Sequence, residues 1–116
     1  MKKKWIGIIA SILTVCMLTM GAFAASASVT ISKGQSSVTS STVSGNKATY
    51  SASNYSSSTE TMQAYGMANN KVKWSTTLQI GKSGSGGFSD STQTYSFKIQ
   101  VVGNYYCNGK GSVTAS

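Results

Sequence analysis

The sequence predicts an all-β protein: a small antiparallel β-sandwich, or a small barrel, of about six to eight strands behind an N-terminal secretory signal peptide. Three observations predict it. Apolar and polar residues alternate at period two in several stretches, as they do in strands with one buried face. Short clusters of Gly, Asn and Ser separate those stretches, as turns do. After its first 24 residues the chain is long enough for one small domain only.

The first element is residues 1–24. Lys2, Lys3 and Lys4 precede an apolar run from Ile6 to about Leu18, and small residues follow. That is the layout of a secretory signal peptide. Ala22-Phe23-Ala24 suits cleavage before Ala25, and Ala25-Ser26-Ala27 suits a cut after 27. A membrane anchor wants about 20 apolar residues, and this run is shorter. A lipoprotein would use Cys16, but Val15 stands where Gly or Ala is preferred. The expectation is a secreted protein with no stable membrane insertion after cleavage, associated with a Gram-positive wall.

Residues 25–45 are Ser/Thr-rich and read as edge strands or a partly disordered stalk. Val29 and Ile31 alternate as an edge strand would. Val38 and Val43 fall on opposite parities, so one continuous strand needs a bulge.

Residues 46–116 read as the β-sandwich core. "KATYSASNY" puts Ala48, Tyr50 and Ala52 on one face. "SSSTETMQAYGMANN" is ambiguous. Ser57 and Glu60 resemble a helical capping box, yet Gly66 and the neighbouring strands favour a strand. "KVKWSTTLQI" puts Val72, Trp74, Thr76, Leu78 and Ile80 on one face, and "TYSFKIQVV" does the same with Tyr95, Phe97, Ile99 and Val101. If Gly103 does not break the last of these, Tyr105 and Cys107 also face inward. The predicted core is Tyr50, Val72, Trp74, Leu78, Ile80, Phe97, Ile99, Val101 and Cys107. Cys107 is then an inert buried thiol, with a disulfide to another chain as the alternative. Tyr105, Cys107 and Trp74 resemble the tyrosine, second cysteine and buried tryptophan of immunoglobulin domains. No first cysteine stands upstream near residues 46–54, so the architecture is kept and the family is not assigned.

Composition argues against most chemistry. With no His, a Ser-His-Asp triad cannot be built, and nothing marks one Ser-Lys pair among many. Glycoside hydrolysis needs two flanking carboxylates, and Glu60 and Asp90 are the only side-chain acids. Asp90 sits among turn residues, where capping is the simpler role. Zinc and calcium lack ligands, so neither a metal nor a cofactor is expected. Gly81-Lys82-Ser83 lacks the upstream Gly of a phosphate loop, since Thr76 stands there. Asn54-Tyr55-Ser56 is a glycosylation sequon, meaningful only in a eukaryotic secretory route. Nucleic acid is not an expected partner, because Arg is absent and Trp74 lies on the apolar face.

What remains is surface. Residues 25–116 carry seven lysines against Glu60 and Asp90, a net +5. Lys71, Lys73 and Lys98, with Gln79, Gln100 and Thr77, read as a cationic outer face for phosphate or sugar polymers. The sequence therefore predicts a non-catalytic, cationic binding protein at the cell envelope. Its expected partner is an anionic wall polymer, a wall precursor or another protein. The alternative is a secreted bacteriocin acting on neighbouring cells. A weaker reading is a fibre subunit, from the strand-prone "TYSFKIQVVGNYY".

Overall fold

The computed structural model describes residues 25–116; the signal peptide expected over residues 1–24 lies outside the described residues. Nine strands follow in order: β1 (Ala25–Ile31), β2 (Ser37–Thr39), β3 (Val43–Gly45), β4 (Lys47–Asn54), β5 (Met62–Ala68), β6 (Lys71–Leu78), β7 (Ser83–Ser89), β8 (Tyr95–Val102) and β9 (Gly109–Ala115). They form two sheets. One runs β1-β9-β4-β7; the other runs β8-β5-β6, with β2 and β3 sharing the free side of β8. Every pairing is antiparallel. No helix occurs among the described residues, and the ambiguous stretch before Asn69 is strand β5.

Residues 25–45 supply three strands, which raises the count above the expected range. β2 and β3 pair with β8 in registers that differ by one residue: Val38 opposes Val101, and Val43 opposes Phe97. Ser40 bridges the slip. Its N–H donates to the Ile99 carbonyl at 2.9 Å, and its hydroxyl accepts from the Ile99 N–H at 3.0 Å. The extra residue lets valines of opposite parity both turn inward.

The core lies between the two inner faces. Tyr50, Phe97, Ile31, Met62, Ile99, Val101, Val113 and Cys107 are fully buried. Leu78 is buried and Trp74 half-buried. The Tyr50 ring stacks on Trp74 at a centroid distance of 5.8 Å and meets Phe97 edge-on at 6.4 Å. Two glycines make room for these rings. A Cβ at Gly66 would stand 2.5 Å from the Tyr50 ring, and one at Gly86 would stand 2.3 Å from Trp74.

Three residues expected inside are outside. Val72 is 55% exposed because β6 carries a bulge. Trp74 opposes Gly66 while Val72 opposes Met67, so Lys73 is the extra residue. The cause is a conflict of registers. Asn69 and Asn70, at φ 50° and 66°, make a two-residue turn that fixes Ala68 opposite Lys71. Trp74, Thr76 and Leu78 are fixed by the core. The two registers differ by one, and the bulge at Lys73 absorbs it. Ile80 is 44% exposed because β6 ends at Leu78. A turn closed by the Lys82 N–H on the Gln79 carbonyl follows, with Gly81 at φ 78°. Tyr105 is 60% exposed because β8 stops before Gly103, so the immunoglobulin-like Tyr-Cys pair lies in a loop.

Candidate functional site: the tyrosine loop end

The expected cationic face is dispersed. Lys98 lies half-buried on the outer face of β8 beside Met67, with Gln100 next to Tyr65 and Thr77 next to Gln63. Lys73 turns toward the other sheet, its Nζ 5.3 Å from the Phe88 ring centroid. That is a cation–π contact over the face of the ring. Lys71 follows the Asn-Asn turn, and Gln79 belongs to the turn after β6.

The exposed aromatics gather elsewhere. Tyr55, Ile80, Tyr105 and Tyr106 are four of the five large apolar residues exposed among the described residues. All four sit in the loops at one end of the molecule: 32–36, 103–108, 55–61 and 79–82. Backbone bonds tie these loops side by side in that order. The Gly34 N–H donates to the Tyr105 carbonyl and the Tyr105 N–H to the Gln35 carbonyl, both at 3.0 Å. The Thr59 N–H donates to the Tyr106 carbonyl at 3.0 Å, and the Tyr55 N–H to the Asn108 carbonyl at 2.8 Å. The Asn54 N–H reaches the Lys82 carbonyl at 2.9 Å.

Two asparagines lock the arrangement from below. The Asn108 side chain accepts from the Lys33 N–H and donates to the Ser57 hydroxyl, each at 3.0 Å, while its own N–H donates to the Ser58 hydroxyl at 2.8 Å. Asn54 is 1% exposed, and its amide donates to the carbonyls of Glu60 and Leu78. Its side chain is a structural clamp, and the sequon it opens is inaccessible in this fold.

Tyr105 is held in an uncommon conformation. The Tyr106 N–H closes a turn on the Gly103 carbonyl, with Asn104 at φ 50° and Tyr105 at φ 75°. Glycine and asparagine favour such positions, and a ring-bearing residue there costs about 1–2 kcal/mol. The cost holds an exposed phenol on a fixed backbone.

Cys107 lies beneath these loops. Its thiol donates toward the carbonyls of Glu60 at 3.3 Å and Thr61 at 3.4 Å, and burial pushes its pKa up. It is a packed thiol with no exposed surface.

No protein-family model, curated protein or solved structure matches this chain. The loop end therefore stands on its own geometry. Sequence reading missed it because Tyr55 and the Tyr105-Tyr106 pair come from two loops far apart in the chain. The available signal was composition: Tyr, Ser, Gly and Asn make up most of the loops 32–36, 55–61 and 103–108, as they do in the recognition loops of antibodies. The outer face of β1-β9-β4-β7 is a second surface that sequence reading passed over. It is largely hydroxyl, with Ser26–Thr114, Ser51–Ser112 and Ser53–Ser83 bonded across strands at 3.0, 2.7 and 2.8 Å.

Proposed function

We propose that this protein is a small secreted, non-catalytic binding module of the β-sandwich type that works at the cell envelope, with the loop end as its recognition surface. The observation that carries this reading is the gathering of Tyr55, Tyr105 and Tyr106 on loops cross-linked by hydrogen bonds. Rigid aromatic side chains on a preorganised frame give contact area at low entropic cost. The net positive charge favours anionic surroundings such as a Gram-positive wall. Release before Ala25 leaves β1 whole, whereas a cut after Ala27 removes a buried residue that pairs with Val113.

The test is co-sedimentation of the mature protein with Gram-positive cells at low and high salt. Replacing Tyr105 and Tyr106 with Ser should abolish binding, while replacing Lys71 and Lys98 with Gln should leave most of it. The reverse pattern would return the site to the lysines. Viability counted in the same tubes tests the bacteriocin alternative, since killing is not expected of a binding module.

A further inference from the structure

Resting on that reading, we infer that the loop end binds a linear glycan whose sugars carry anionic groups. The loops run 32–36, 103–108, 55–61, 79–82 from one side edge of the molecule to the other, because the first joins β1 to β2 and the last joins β6 to β7. The end spans a four-stranded sheet, about 15 Å across at ordinary strand spacing. Backbone bonds order the three tyrosines along this line, Tyr105 against residues 34 and 35, Tyr106 against Thr59 and Tyr55 against Asn108, an order that suits an extended chain better than a compact ligand. A phenol face carries partial negative charge and attracts the C–H face of a pyranose ring.

Charge sets the kind of glycan. Lys33 lies in the loop at one margin and Lys82 in the loop at the other, so anionic groups along a bound chain meet a cation at each end of the row. Glu60, between them, is exposed and repels such groups, which gives its removal a sign. A bilayer suits this end less well. Glu60, Ser56, Ser57 and Asn104 are interspersed with the rings, and only Ile80 is aliphatic, so insertion would desolvate polar groups.

Tyr105 supplies the decisive variant. Tyr105→Gly relieves the left-handed backbone, so the melting temperature should hold or rise while the ring is lost. The measurement is the affinity of the intact mature protein for a panel of linear anionic oligosaccharides. The panel holds uronate, sulfated and phosphate-linked chains, each beside its neutral counterpart, with phosphatidylglycerol vesicles as a separate arm. Expected are salt-sensitive binding to an anionic chain over its neutral form, loss of about tenfold in Tyr105→Gly, and tighter binding in Glu60→Gln. Lys33→Gln and Lys82→Gln should each flatten the salt dependence. Equal binding of neutral and anionic chains, unchanged affinity in Tyr105→Gly, or capture by vesicles alone would overturn the inference. So would cell binding that needs the tyrosines when no glycan of the panel binds, an outcome that leaves the binding-module reading standing.

Discussion

Asp90 and Tyr50 show how single groups are committed to the fold. The Asp90 carboxylate accepts from the Thr92 hydroxyl, the Tyr95 hydroxyl and the Thr92 N–H, and these bonds hold its pKa down to about 2 from an ordinary 3.8. A depressed carboxylate contributes stability above its unfolded pKa and loses it as the pH falls through the folded value. The melting temperature should therefore drop between about pH 4 and pH 2, and Asp90→Asn should flatten that limb in a thermal series. Tyr50 behaves in the opposite direction. Burial pushes its phenol up to about 12 from 10.0, and its hydroxyl donates to the Met67 carbonyl at 3.1 Å. Its contribution is whole below about pH 10 and fades as the pH rises through about 12. Tyr50→Phe should cost about 1 kcal/mol at neutral pH and remove that alkaline loss, as denaturant titrations at both pH values would show. Cys107 should stay unreactive toward an aromatic disulfide reagent in the native protein and react only at the rate of opening. Fast native labelling would show that the loop end opens far more readily than its hydrogen bonds indicate.

The β5-β6 hairpin carries a conflict that no single residue reveals. Its turn sets one register, its buried half sets another, and Lys73 is the residue left over. Deleting Lys73 should let the ladder run continuously with Val72 still outside, at the cost of little more than the Phe88 contact, about 0.5–1 kcal/mol. Deleting Ser75 instead should put Trp74 out of phase with Thr76 and Leu78, turn its ring away from Tyr50 and abolish cooperative unfolding. Circular dichroism melts of the two deletions distinguish these outcomes. The same hairpin needs Gly66. Gly66→Ala puts a methyl into the Tyr50 ring and should cost about 1–3 kcal/mol, because the ring is pinned between Trp74 and Phe97.

Considered as one molecule, residues 25–116 close on themselves: β9 sits between β1 and β4, so the last of the described strands holds the first. Such non-local pairing makes folding slow, because loop closure precedes the contacts that reward it. Removing residues 109–116 should abolish the folded state, since it empties the middle of a sheet. Removing residues 25–27 should only lower the melting temperature, since it shortens an edge strand. The arrangement also explains the site. Closing the two sheets brings four loops, distant in sequence, to one end, where Asn54 and Asn108 bind them into a frame.

Much of the fold was legible in the residues. Tyr50, Leu78, Phe97, Ile99 and Val101 point inward because side chains alternate along a strand, a local rule that pairing does not alter. The same rule failed at Val72, where a bulge changed the phase, and at Ile80 and Tyr105, which lie beyond strand ends set by neighbouring turns. Lys71, Lys73 and Lys98 looked like one face for that reason and are not one. Which loops share an end depends on which strands become neighbours, and that choice is made by long-range packing. Alternation and composition are written in the chain; the gathering of Tyr55, Tyr105 and Tyr106 exists only once the sheets have closed.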